Sequence, residues 1–71
     1  MSISYKKLWK LLIDKNLSKA DLRQMTGIGA STFSRMNKNE MVSLEIIGKI
    51  TLALNCGVDD IIEFSMTNTD N

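Results

Sequence analysis

The residues best suited to chemistry lie close together in residues 25–36, MTGIGASTFSRM. Gly27 and Gly29 stand beside hydroxyl side chains and Arg35, so this stretch could form a glycine-rich loop whose backbone amides hold a phosphate. It could equally form a tight turn between two helices, with Arg35 directed outward as a planar donor for an anion or a base edge. These interpretations predict different functions, and the flanking elements decide between them.

The composition leaves few residues for catalysis or metal binding. A chain of 71 residues forms one small domain, which is little material for a deep catalytic cleft. It contains no histidine, so the commonest general acid–base group and the commonest metal ligand are both missing. Cys56 is the only cysteine and is expected to be a small buried apolar residue, not part of a disulfide or zinc site. We therefore expect no enzymatic activity, no cofactor and no metal site.

The distribution of apolar residues argues against contact with a membrane. No apolar stretch approaches the length of a membrane-spanning helix. The N-terminal residues also lack the apolar core of a signal peptide. The sequence therefore predicts a cytoplasmic protein.

The charged residues are distributed unevenly, although the net charge is only +1. Residues 1–39 carry eight basic and two acidic side chains, a balance of +6. Residues 40–71 carry one basic and six acidic side chains, a balance of −5. This asymmetry suggests that the first half meets an anion, and the alternative is a solvated surface that happens to be uneven.

Helical periodicity accounts for the residues before the glycine-containing stretch. Apolar side chains recur at helical spacing over residues 5–13, which predicts an amphipathic helix with Ser4 as its N-cap and Asn16 in a left-handed conformation after its end. Ser18 and Asp21 then resemble a capping box and predict the start of a second helix. Two helices are therefore expected before Gly27.

A third helix is predicted from about Ala30 to Asn37, with Phe33 and Met36 directed inward. A phosphate-binding glycine loop follows a β-strand, whereas residues 22–26 have a helical pattern, and no Gly-Lys-Ser/Thr follows. Gly27 suits a turn between helices because glycine adopts positive φ without strain. The sequence thus favours a helix–turn–helix over a phosphate loop.

Residues 18–37 resemble the helix-turn-helix of the phage repressor and Cro class, also called XRE-type regulators. Leu22 matches the family's buried leucine, Gly27 its turn glycine and Ile28 the aliphatic residue after the turn. Phe33 and Met36 match the two inward positions of the family's recognition helix. A fourth helix begins at Ser43, and residues 53–61, ALNCGVDDI, resemble the family's link into a fifth helix. This resemblance implies that Asn55 is a left-handed C-cap and that Gly57 is the next N-cap.

The resemblance covers about residues 4–64 and implies an all-α, compact five-helix lambda-repressor-like DNA-binding domain. We place this domain at residues 1–66 and a flexible polar tail at residues 67–71. Two positions depart from the family pattern. Arg23 stands where a small residue is usual, so its side chain is expected to extend outward, and Asn37 stands where glutamate is frequent.

In this family the third helix enters the major groove of DNA, with its N-terminal residues towards the base edges. The residues that the resemblance assigns to base contacts are Ala30, Ser31, Thr32, Ser34 and Arg35. Arg35 is the strongest candidate for base recognition because its planar guanidinium matches O6 and N7 of guanine. The alternative roles for Arg35 are a phosphate contact or a surface ion pair. The candidates for phosphate contacts are Lys19, Lys38, Asn39 and, more weakly, Lys10 and Lys6. Trp9 is expected in the core, with a stacking platform for a base as the alternative.

The sequence therefore predicts a small transcriptional regulator, most simply a repressor, that binds double-stranded DNA sequence-specifically. A homodimer could use helix 5 and the residues after it, through Ile61, Ile62, Phe64 and Met66, unless these side chains only close the core. The alternative function is a protein-interaction module of the same fold, antitoxin-like or anti-repressor. Salt-dependent binding to duplex DNA separates these two functions.

Overall fold

The computed structural model describes residues 2–65. Four α-helices form the bulk of this part of the chain: α1 (Lys6–Asp14), α2 (Lys19–Thr26), α3 (Ala30–Asn37) and α4 (Leu44–Leu54). A 3-10 turn (Val58–Asp60) follows α4, and two short strands, β1 (Ser2–Ser4) and β2 (Glu63–Ser65), pair in antiparallel orientation. In this register Ser2 lies opposite Ser65, and Ile3 lies opposite Phe64.

The helix boundaries follow the predicted capping residues closely. Ser18 Oγ accepts from the amide of Asp21 at 3.0 Å, and the Asp21 carboxylate accepts from the amide of Ser18 at 2.9 Å, which confirms the capping box of α2. These hydrogen bonds hold the pKa of Asp21 below its ordinary value. Asn16 and Asn55 have φ of 58° and 54°, so both adopt the predicted left-handed conformation. Local side-chain chemistry therefore determines most helix ends.

One local prediction is wrong, and another is only partly correct. Ser4 does not cap α1 but ends β1, where its hydroxyl accepts from the amide of Lys6 at 3.2 Å. Cys56, predicted to be a small buried apolar residue, is half-buried and packs against the core. Partial burial, together with the nearby Asp60 carboxylate, raises the pKa of its thiol.

The predicted fifth helix is absent from the described residues. Gly57 caps the segment as expected, but the element is a single 3-10 turn that ends at Asp60, with the Asp60 carboxylate accepting from the Gly57 amide at 2.8 Å. Residues 63–65 then extend and pair with β1. The fold is therefore mostly helical with a small sheet, because backbone pairing with the N-terminal residues replaces further helical hydrogen bonds after the turn.

The core lies between the four helices and the sheet. Its buried side chains come from every helix, from β1 and the residue after it, from the turn between α2 and α3, and from the segment before β2. They are Ile3, Tyr5, Leu8, Leu12, Leu22, Ile28, Phe33, Met36, Ile47, Ile50, Leu54, Ile61 and Ile62. Tyr5 is fully buried, and its hydroxyl donates to the carbonyl oxygen of Glu40 at 2.6 Å. This bond ties the segment between α3 and α4 to the start of α1.

The dimer surface predicted from residues 61–66 is wrong for two of its members. Ile61 is fully buried and Ile62 is 9% exposed, since both side chains complete the monomer's own core. Phe64 on β2 is 49% exposed. Met66 and the polar tail predicted at residues 67–71 lie outside the described residues.

Candidate nucleic-acid interface

The turn between α2 and α3 is built from local hydrogen bonds and one glycine. Gly27 has φ of 73°, a value that side-chain-bearing residues rarely adopt, and its amide donates to the carbonyl oxygen of Arg23 at 2.8 Å. Thr26 Oγ1 donates to the carbonyl oxygen of Leu22 at 2.8 Å and accepts from the amide of Ile28 at 3.3 Å. The element before Gly27 is a helix, so the structure has a helix–turn–helix here and not a phosphate loop.

Helix α3 is anchored by the two inward side chains that the sequence predicts. Phe33 is 4% exposed and Met36 is fully buried. Most of the predicted base-contacting residues lie on the remaining surface and are exposed, namely Ala30, Ser31, Ser34 and Arg35. Thr32 is half-buried because it adjoins the inward side of the helix, so the prediction that it faces outward is only partly correct.

The exposed surface of α3 has small side chains at its start and a long donor near its end. Gly29 occupies the N-cap position and offers no side chain that could cover the first amides of the helix. Arg35 lies in the last turn. Small side chains let a helix approach a surface closely, whereas a guanidinium supplies several donors in a fixed plane. The helix therefore combines close approach at one end with directed hydrogen bonding at the other.

Lys19, a predicted phosphate contact, joins three helices through one ammonium group. Its Nζ lies 4.2 Å from the ring centroid of Trp9 on α1 and donates to Oδ1 of Asn37 on α3 at 2.7 Å. The first contact has the geometry of a cation–π interaction. Lys19 is thus brought to the C-terminal end of α3, where Lys38 directly follows Asn37 in the chain and is exposed. The two ammonium groups supply positive charge at the end of the helix that also carries Arg35.

Trp9 belongs to the aromatic part of the core, as the sequence favours. Its ring centroid lies 5.8 Å from that of Phe33 and 6.4 Å from that of Tyr5, both in tilted arrangements. The side chain remains half-buried, and the Lys19 ammonium lies over the ring. Trp9 thus packs against α3 and contacts Lys19. This arrangement differs from the alternative prediction, in which Trp9 stacks on a base.

Asn37 is the functional candidate that sequence reasoning misses. The sequence marks it only as a departure from the family pattern, but its side-chain oxygen accepts from Lys19. The two residues are 18 positions apart and lie on different helices. Only the departure itself signals the position, and nothing in the local spacing predicts the contact.

The other predicted phosphate contacts occupy different environments. Asn39 has φ of 58°, and its side-chain oxygen accepts from the amide of Tyr5 at 3.4 Å, so part of its amide group is used in the fold. Lys10 lines a shallow cavity of about 300 Å³ together with Asp14, Asp59 and Asp60, so acidic side chains share its surroundings. The structure therefore does not group Lys10 with Lys19.

Arg23 is exposed, in agreement with the expectation that it extends outward. It lines a shallow surface cavity of about 330 Å³ beside Gly27 and Ile28. The long side chain therefore lies at the surface next to the turn.

The described residues contain neither a candidate metal-binding group nor a candidate membrane-spanning helix. Within residues 2–65, no three acidic, cysteine or histidine side chains come together in a group that could hold a metal ion. No helix in this part of the chain has both the length and the apolar character needed to cross a membrane.

Comparisons with known proteins identify a family and a similar fold. A family model of the Cro/C1-type HTH DNA-binding domain matches residues 7–66. The crystal structure of the transcriptional regulator VanUg (Form II) is similar to this fold with a TM-score of 0.86 and 50% sequence identity, over 87% of this chain and 83% of that one. No curated protein matches the chain.

Proposed function

The chain belongs to the family of Cro/C1-type helix-turn-helix DNA-binding domains, and from this premise we propose that it regulates transcription by inserting α3 into the major groove of a specific DNA site. The similarity to a transcriptional regulator at 50% identity supports this assignment. The observation that carries the proposal is the exposed surface of α3, where Arg35 lies at the end of the helix that Lys19 and Lys38 flank.

Base recognition is assigned to the exposed face of α3. Arg35 binds a guanine through O6 and N7, because its planar fork matches these two acceptors. Ser31 and Ser34 bond base edges or phosphates with little discrimination, and Ala30 contacts a thymine methyl group. Thr32 contributes through the part of its side chain that remains accessible. Most sequence information is therefore read by a single side chain.

Phosphate binding is assigned chiefly to Lys19 and Lys38. The hydrogen bond to Asn37 and the contact with Trp9 restrict the Lys19 ammonium before DNA arrives, so less side-chain entropy is lost on binding. Asn39 adds the donors of its side-chain amide group. Lys10 is the weakest of the candidates, because acidic residues line the same cavity. Such contacts orient the domain on DNA but carry no sequence information.

A repressor needs only to occupy its site, which a domain of this size can do without a catalytic step. We therefore propose repression, exerted in the cytoplasm, as the regulatory outcome. Transcription in vitro from a template that carries the selected site tests this, because repression lowers the transcript level in proportion to occupancy. An increase in transcript would instead identify an activator.

The DNA-binding proposal is tested by selecting bound sequences from random duplexes and measuring affinity against salt concentration. Each phosphate neutralised by the protein should contribute a slope of about −0.9 to log affinity against log salt. Recovery of a common sequence together with a steep slope supports the proposal. Affinity that is flat with salt, with no sequence recovered, would favour the protein-interaction module.

A further inference from the structure

Helix α4 carries an apolar stripe on its solvent side. Leu44, Gly48 and Leu52 are four residues apart and therefore lie on one face. Leu44 and Leu52 are each 84% exposed, the highest values among the large apolar side chains of the described residues. The opposite face of α4 is buried in the core through Ile47, Ile50 and Leu54. We call this set, the exposed Leu44 and Leu52 with the partly buried Gly48 between them, the α4 stripe.

Nothing within the described chain explains the glycine in the middle of this stripe. Glycine is among the least favourable residues inside a helix. Gly48 does not adopt positive φ, so the backbone does not require it. A Cβ atom at this position would meet no heavy atom of residues 2–65 within 4 Å beyond its own helix backbone and chain neighbours. A glycine with no use inside the monomer suits a helix that another backbone approaches closely.

We propose that the α4 stripe is the dimer interface of this protein, in which α4 crosses α4 of a second copy at Gly48 in antiparallel orientation. A two-fold interface must be self-complementary, because the same patch is used on both subunits. The α4 stripe meets this condition, since Leu44 and Leu52 are equally spaced from Gly48. In this arrangement Leu44 packs against Leu52 of the partner subunit.

The charges beside the α4 stripe favour a second copy as the occupant. Glu45 and Lys49 are exposed and lie one turn apart along the same edge of the stripe. Antiparallel crossing at Gly48 places Lys49 of the partner subunit opposite Ile47, two residues from both Glu45 and Lys49. Each Glu45 therefore offsets the repulsion between the two Lys49 ammonium groups. Opposite charges placed at the rim in this way fix the register of an interface.

Other segments of the chain suit the α4 stripe less well. Residues 66–71, MTNTDN, contain one apolar side chain, which is too few to cover two leucines. Ile61 and Ile62, predicted as part of a dimer surface, are buried in the core of the monomer. A single helix crossing buries little area, so the dimer should form reversibly and depend on concentration.

Sedimentation equilibrium of the whole 71-residue chain without DNA tests the interface. We expect a monomer–dimer equilibrium in the wild type. The Leu44→Ser and Leu52→Ser double variant should weaken dimerisation at least about tenfold, since it removes both apolar contacts of each subunit. Ile13→Ser is the matched control, because Ile13 is 72% exposed on α1 and lies outside the stripe.

Gly48→Ala should raise the stability of the monomer and weaken the dimer. The added methyl group improves helix propensity and has open space in the monomer, so the melting temperature at low protein concentration should rise. The same methyl group separates the two backbones, so the dimer should weaken. This variant excludes a general loss of folding as the cause of the weaker dimer.

Charge exchange tests the register. Glu45→Lys alone and Lys49→Glu alone should each weaken the dimer, and the two substitutions together should restore it. A wild type that stays monomeric at the highest concentration, or a dimer that neither Gly48→Ala nor the leucine double variant weakens, would overturn the proposal. These measurements use no DNA, so their failure is distinguishable from failure of the DNA-binding proposal.

Discussion

The ammonium group of Lys19 lies 4.2 Å from the ring centroid of Trp9, so the side chain that begins α2 rests on the aromatic face of α1. The same group donates to Asn37 at 2.7 Å, at the last position of α3. One residue therefore links the orientation of all three helices that form the proposed DNA-binding surface. An anionic phosphate that binds Lys19 must share its ammonium with these two partners.

Lys19→Ala and Lys38→Ala should each weaken binding to all DNA sequences about equally, because phosphates carry no sequence information. Each variant should also make the slope of log affinity against log salt shallower by about 0.9, the value for one phosphate contact. Fluorescence anisotropy with labelled duplexes at several salt concentrations measures both effects. Lys15→Ala is the control, since this exposed lysine lies near Cys56 and away from α3, and it should leave the slope unchanged.

Arg35→Ala should cost about 1–3 kcal/mol of binding free energy at the preferred site and relax a G·C preference there, because the bidentate guanine contact is lost. Arg35→Lys should recover general affinity better than base choice, since an ammonium cannot reproduce the planar fork. The measurement is an affinity profile over every single-base variant of the site. An unchanged profile with uniformly lower affinity would mean that Arg35 contacts phosphate.

Binding of DNA should change the fluorescence of Trp9, which is the only tryptophan of the chain. The reason is that a phosphate bound to Lys19 changes the electrostatic field of the ammonium that lies over the indole ring. A titration with duplex DNA checks this directly. Lys19→Met should abolish the change, whereas Lys38→Met should weaken binding and keep it. Persistence of the full signal in Lys19→Met would show that it arises elsewhere.

Stability should fall at alkaline pH because of Tyr5. Burial raises the pKa of its phenol above the ordinary value of about 10, so the unfolded state loses the proton first. The contribution to stability is complete below that ordinary value and is lost as pH rises through the higher pKa of the folded state. Urea unfolding between pH 8 and 11 gives the free energy of unfolding at each pH.

Tyr5→Phe provides the comparison for this pH dependence. It removes the titrating group together with the hydrogen bond to the Glu40 carbonyl oxygen, so we expect a loss of about 1–2 kcal/mol near neutral pH. The steeper loss above pH 10 should disappear in this variant. Parallel pH curves for the two proteins would show that Tyr5 is not the source of the alkaline transition.

The sequence by itself determined the features that depend on neighbouring residues. The Ser18–Asp21 capping box, the left-handed Asn55 and the turn at Gly27 each follow from side-chain chemistry within a few positions. The inward pair Phe33 and Met36 follows from helical spacing. The helix–turn–helix and the outward position of Arg35 were therefore predictable, and the family assignment follows from them.

Tertiary structure alone decided what depends on residues far apart in the chain. The expected fifth helix gives way to a strand because residues 63–65 find backbone partners at residues 2–4, a pairing that no local pattern encodes. Ile61 and Ile62 could have faced solvent or core, and packing against the four helices buried them. Lys19 was predictable as a basic residue, but its contacts with Trp9 and Asn37 arise only when three helices meet, because hydrogen bonds and cation–π contacts act over a few ångströms of space and are blind to sequence separation.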